Sequence, residues 1–174
     1  MLNLKKIFIF VIVLIILGLA VYYFYPIHKI PDGIFIDKII VLKSGHKLLA
    51  YSKGKLIVTY KIAIGKNSLG DKEYESDMKT PEGLYIINDK NPNSDFHKNL
   101  GISYPNQQDI DQVKQFLKPV GGEIKIHGLK NGQGYIGKFH RWKNWTNGCI
   151  ALTDPEIDEL YNHTAIGTPI EIRK

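Results

Sequence analysis

Hydrophobic positions along the chain fall into two regimes. The first is Ile7 to Tyr25, a run of nineteen residues without a charge. As a helix it would be about 28 Å long at 1.5 Å per residue, enough for a hydrocarbon core of roughly 30 Å. The run shows no amphipathic face, so a buried helix of a globular domain is a poor fit. From Ile34 the pattern changes to short, β-branched runs broken by turn residues: Ile34 to Leu42, Lys47 to Tyr51, Leu56 to Ile64, Leu84 to Asn88, Glu123 to Ile126 and Ile170 to Ile172. These predict strands of an antiparallel sheet, because the helical signal is too small to cover a parallel one. That signal comprises Gln107 to Leu117 and a segment opening at Thr153-Asp154-Pro155-Glu156. In the latter, Thr153 or Asp154 caps the helix, Pro155 stands in its first turn, and Ile157, Leu160 and Tyr161 form its apolar face. The fold class expected is mainly β, with one or two short helices.

Between these elements, Pro26 to Gly33 reads as a linker, giving an opening segment 1–25, a linker 26–33 and a single domain 34–174. Gly65 to Lys79 and Asn91 to Asn99 read as polar loops, with His97 a solvated surface histidine. Leu129 to Trp145 holds three glycines, Trp142 and Trp145, and the bases Lys138, His140, Arg141 and Lys143. Such a segment can fold over a cleft as a flap, or lie as a solvated loop with its tryptophans packed on the sheet.

Charge adds a location. Lys5 and Lys6 precede the apolar run, and basic residues stay on the cytoplasmic side. The run continues through Val21-Tyr22-Tyr23-Phe24-Tyr25, whose aromatics suit a membrane interface, so an uncleaved single-pass anchor in the cytoplasmic membrane is favoured. A signal peptide cut after Gly18-Leu19-Ala20 is the competing reading. Either exports the domain to the extracytoplasmic side, the periplasm or cell wall. The formal charge is +6, of which Lys5 and Lys6 contribute two, leaving +4 on the remainder. No basic helix or RNA-binding signature accompanies it, which argues against nucleic acid. The six histidines never fall at ligand spacing and no second cysteine exists, so neither a metal nor a cofactor is expected.

The single cysteine, Cys149, is either a small buried hydrophobe or a thiol kept for its reactivity. Export favours the second, since an unpaired thiol is unusual in an oxidising compartment. Thr146-Asn147-Gly148 forms a tight turn ahead of Cys149, able to aim neighbouring N–H groups at one point as an oxyanion site. Upstream, a strand ends in His127-Gly128. A thiol with a free pKa of about 8.5 needs a base to become a nucleophile, and His127 on a rigid strand is preferred over His140 in the glycine-rich segment.

His127-Gly128, seventeen residues, then Thr146-x-Gly148-Cys149-Ile150 resembles the signature of the L,D-transpeptidase catalytic domain, the YkuD-like cysteine enzymes of peptidoglycan. Lys79-Thr80-Pro81-Glu82-Gly83 and Ile102-Ser103-Tyr104-Pro105 match further, and the resemblance covers roughly residues 36 to 173. Two positions depart from it: Asn147 stands where many members have histidine, and Ala151 where they carry asparagine or arginine. The resemblance implies a compact, sandwich-like β fold in which the Thr80-Pro81 turn helps floor the active site. It also implies Cys149 as nucleophile, His127 as its base and the Gly128 carbonyl as the group that orients the ring. Thr146, Asn147 and Gly148 would form the oxyanion loop, with Tyr104, His140 and Arg141 as candidate substrate contacts. The implied partner is a peptidoglycan stem peptide, with diaminopimelate at its third position. An amine acceptor would give a 3→3 cross-link or lipoprotein attachment, and water an L,D-carboxypeptidase or endopeptidase. A membrane-tethered wall-binding module without catalysis is the alternative from another class.

Overall fold

In a computed structural model, which describes residues 4–26 and 29–174, α1 spans Leu4–Phe24 with no residue buried. It is long and apolar enough to cross a membrane. Two residues of the expected linker, 27 and 28, and the first three residues of the opening segment lie outside the described residues.

Eight strands follow: β1 Lys38–Leu42, β2 Lys47–Ser52, β3 Lys55–Lys61, β4 Gly83–Ser94, β5 His97–Ile102, β6 Lys125–His127, β7 Ile150–Ala151 and β8 Pro169–Arg173. They form one sheet in the order β3-β2-β1-β8-β4-β5-β6-β7. Beyond β3 the chain stays extended, and Ala63 exchanges both backbone hydrogen bonds with Ala151 of β7, at 2.8 and 3.1 Å. The two ends of the strand order therefore meet, and the sheet curls on itself around Ile39, Leu48, Tyr60, Ile87, Leu100 and Ile150. An antiparallel, sandwich-like sheet was the expectation, and its strand direction is corrected: this is one curled, mixed sheet. β1 pairs with β8 and β6 with β7 in parallel. A parallel pair needs a crossover of a dozen or more residues, not a helix layer. The segment after His127 supplies that length between β6 and β7.

A second correction concerns Asn91 to Asn99. This stretch is not a loop: β4 runs on to Ser94, and β5 begins at His97, with Ser94 paired to His97. Its asparagines escape the usual strand pattern because Asn91, Asn93 and Asn99 line a cleft and not the apolar core. His97 is not simply solvated either, since its Nε2 contacts Asp158 at 2.9 Å.

Helix α2, Gln107–Val113, carries a capping box in which Asn106 Oδ1 accepts from Asp109 N at 3.1 Å and Asp109 Oδ2 accepts from Asn106 N at 2.8 Å. Helix α3, Asp154–His163, follows Thr153 and buries Glu156, Ile157 and Leu160. Glu156 accepts from Thr153 N at 3.1 Å and Thr153 Oγ1 at 2.7 Å, and is also paired with Arg141. The start of α3 is thus tied to the crossover above it.

Candidate active site

β6 and β7 lie side by side with Ile126 opposite Ile150 and His127 opposite Ala151. Counting back one place sets Cys149 level with Lys125. Because side chains alternate along a strand, Lys125, His127 and Cys149 share one face, and His127 is the diagonal neighbour of Cys149. Both line the same cleft of ≈ 680 Å³. The His127 ring is 6% exposed and packs against Phe96 at 4.7 Å and Trp145 at 5.7 Å between centroids. Its Nδ1 lies 2.7 Å from the carbonyl oxygen of Gly128. Donation there leaves Nε2 as the acceptor, the tautomer a base requires.

Gly128 has a steric reason to be glycine. A Cβ would come within 2.7 Å of Asp154 Oδ1 and 3.0 Å of both His97 and Ile157. Asp154 in turn accepts from Leu129 N at 2.8 Å, so the first turn of α3 clamps the chain just after the imidazole. Gly148 is under the opposite constraint: its φ is +132°, and a Cβ would meet Lys79 O at 2.8 Å. The Lys79-Thr80 segment is therefore the backing against which the cysteine turn rests. Thr80 is fully buried, its Oγ1 accepting from Gly65 N at 3.0 Å and its carbonyl from the buried Lys43 Nζ at 2.7 Å.

The turn itself is braced from within. Thr146 Oγ1 donates to Cys149 O at 2.7 Å and accepts from Gly148 N at 3.2 Å. Its hydroxyl proton and the Gly148 N–H are thus engaged inside the turn and do not point together into the cleft as expected. Asn147 is exposed, and its Oδ1 accepts from Lys66 Nζ at 3.2 Å. Ala151, one of the two departures, closes the sheet against Ala63, a place with no solvent exposure.

Cys149 is half-buried, and its thiol donates to Glu123 O at 3.5 Å. Burial raises its pKa, opposed by the backbone N–H and the charge of Lys125. Burial lowers that of His127, against the Gly128 hydrogen bond and with the help of the Lys125 charge. The resting pair is consequently thiol and neutral imidazole.

Three candidate substrate contacts stand elsewhere. Tyr104 is buried, donates to Val120 O at 3.1 Å and packs edge-on against Tyr85, so it serves the core. Arg141 is held by both oxygens of buried Glu156 and does not line the cleft. His140 is 6% exposed and accepts from Trp145 Nε1 at 3.4 Å through Nδ1, while its Nε2 is buried without a hydrogen-bond partner among the described residues. Burial, with the Arg141 charge, pushes its pKa down to about 3. Of the two tryptophans, Trp145 lines the cleft, whereas Trp142 packs against Tyr22 of α1 and Phe139. Sequence reasoning missed Asn99, which also lines the cleft. Period-two spacing of Leu100 and Ile102 was a signal for the strand that carries it.

Residues 36–172 match the YkuD family, described as the L,D-transpeptidase catalytic domain. A curated relative, the putative L,D-transpeptidase YafK of Escherichia coli (strain K12), is 29% identical over 111 residues, covering 62% of this chain and 37% of its own. The helical cell shape determining protein Pgp2 from Campylobacter jejuni superposes with a TM-score of 0.59 at 24% identity, over 82% of this chain and 49% of that one. An L,D-transpeptidase from Mycobacterium smegmatis gives 0.54 at 13% identity, over 79% and 58%. Those two likenesses show the fold, and this chain spans well under two thirds of each relative. With the family match extending over most of its length, from β1 through β8, the chain belongs to the L,D-transpeptidase catalytic domain family.

Proposed function

We propose that this domain carries out acyl transfer on peptidoglycan stem peptides through a thioester on Cys149, with an amine of a neighbouring stem as acceptor. The observation that carries the reading is that His127, at the end of β6, and Cys149, at the entry to the parallel strand β7, line the same cleft. The chemistry starts from a neutral pair. His127 Nε2 takes the thiol proton as sulfur attacks the carbonyl at the L-centre of the third stem residue, and the Gly128 carbonyl steadies the imidazolium through Nδ1. The Cys149 N–H meets the developing oxyanion, and the Gly148 N–H joins it by leaving Thr146 Oγ1. His127 then returns the proton to the departing D-alanine nitrogen. The thioester passes to the acceptor amine. Lys66, Lys125 and Lys130 around the cleft suit a substrate rich in carboxylates. Helix α1 anchors the domain on the outer side of the cytoplasmic membrane, within reach of the wall.

The test is the full chain, purified in detergent and incubated with sacculi, followed by muropeptide analysis. New 3→3 dimers are expected. Trimmed stems without dimers would make water the acceptor and turn the reading to an L,D-carboxypeptidase. No change in muropeptides, together with no carbapenem adduct on Cys149 by mass spectrometry, would leave a wall-binding module.

A further inference from the structure

Helix α1 ends against the crossover between β6 and β7. Its 21 residues span about 31 Å at 1.5 Å per residue, close to a hydrocarbon core of roughly 30 Å, so its last turn arrives where acyl chains give way to headgroups. There it is clamped to the 3₁₀ segment Gly134–Trp142. Tyr23 Oη donates to Tyr135 O at 2.8 Å, and Tyr22 Oη to Lys138 O at 3.3 Å. The buried Lys138 Nζ donates in return to Tyr22 O at 3.3 Å and to Tyr25 O, carbonyls at the end of the helix. These bonds hold the 3₁₀ segment at the depth of Tyr22 and Tyr23.

Two aromatic side chains of that segment stay uncovered by protein. Tyr135 is 75% exposed and Trp142 is 65% exposed, although the Trp142 ring lies 6.4 Å from Tyr22 and 4.9 Å from Phe139 between centroids. Phenol and indole rings favour the headgroup boundary, where the apolar body is covered while the O–H or N–H stays wet. Lys143, exposed next to Trp142, adds a charge suited to lipid phosphates. We infer that the crossover makes a second membrane contact: Tyr135 and Trp142 lie in the headgroup boundary of the bilayer that α1 spans, beside the last turn of that helix. The inference rests on the anchor reading of α1 and goes beyond acyl transfer. Lys130, Gln133 and Trp145 of the same connection line the cleft, so one wall of the cleft is held at a set height above the lipid.

The chain has two tryptophans, which allows each to be read alone. The full chain carrying Trp145→Phe is reconstituted into vesicles of phosphatidylcholine and phosphatidylglycerol whose acyl chains are brominated either near the glycerol or near the chain tip. Trp142 emission is expected to fall at least about twofold with the shallow bromines and by less with the deep ones, the order that an interfacial ring gives. In Trp142→Phe, the remaining Trp145 is expected to be quenched less than Trp142 in both. If Trp145→Phe does not fold by circular dichroism, the difference between the parent and Trp142→Phe reads the same ring. Trp142 emission that is unchanged, quenched most by the deep bromines, or quenched no more than that of Trp145 overturns the inference while leaving the anchor standing. A chain that does not float with the vesicles, or is stripped from them by alkaline carbonate, overturns the anchor reading and the inference with it. Acyl transfer is judged separately, by the muropeptides.

Discussion

Two histidines flank the cysteine strand, and the difference between their surroundings is instructive. His127 ends β6, and His140 sits in the 3₁₀ segment Gly134–Trp142 of the crossover. Each is 6% exposed, each contacts Trp145, and burial depresses the pKa of each. Solvent exclusion therefore does not distinguish a base from a packed ring. Access does: His127 lines the cleft with a ring oriented by Gly128 O, whereas His140 does not line it and its Nε2 has no hydrogen-bond partner among the described residues. Rigidity follows the same division. β6 is held by ladders on both sides, while the 3₁₀ segment is interrupted at Gly137 and depends on the Arg141–Glu156 pair and on α1 for its position.

The sharpest way to break this contrast is kinetic. Cys149→Ala should abolish turnover, and His127→Ala should lower kcat/KM by at least about 10²-fold, the usual scale for loss of a general base. Near-parental activity in either would remove the strand pair from the chemistry. Next comes the support of the crossover. The Arg141 and Glu156 side chains are only 9% and 4% exposed, so Glu156→Ala strands a buried guanidinium and should lower unfolding free energy by about 3–5 kcal/mol in urea titration. Activity per folded molecule should change little, the opposite signature to His127→Ala.

A smaller effect lies in acid. Both imidazoles titrate below the usual 6.5 when folded, so under that pH the unfolded chain binds protons that the native one refuses. Stability should fall as pH drops from about 6.5, each histidine contributing about 1.4 kcal/mol per pH unit until its folded pKa is reached. For His140 that limit is about 3. His140→Phe should make the slope shallower by one histidine's share, and an identical slope would show the ring to be protonated in the fold. The same variant should alter kcat/KM by less than about threefold, which completes the comparison.

The sequence made some of this legible for physical reasons. His127 and Cys149 stand out because one ends a strand and the other immediately precedes one, each beside a glycine that close packing requires. Capping residues Thr153 and Glu156 announce α3 through local hydrogen bonds alone. Pairing direction left no such mark: β6 and β7 have three and two residues, too short for a pattern, and their partners are chosen by the closure at Ala63 and Ala151. Asn99 was hidden because strand reading looks for apolar residues at alternate positions, and here those positions face a polar cleft. Tyr104 and Arg141 looked available from composition, yet their partners, Val120 and Glu156, come from elsewhere in the chain.

The last turn of α1 rests on the crossover: Tyr23 donates to Tyr135 O at 2.8 Å, Tyr22 and Tyr23 pack on Phe139, and Lys138 Nζ reaches back to Tyr22 O at 3.3 Å. Gly137 leaves room for the Tyr23 ring, which would lie 2.7 Å from a Cβ there. Clipping the chain behind residue 25 would thus strip an aromatic shelf from the 3₁₀ segment of the crossover as well as freeing the domain. A shortened version and the full chain should differ in how firmly that segment sits, so the apolar helix and the crossover are physically joined in this protein.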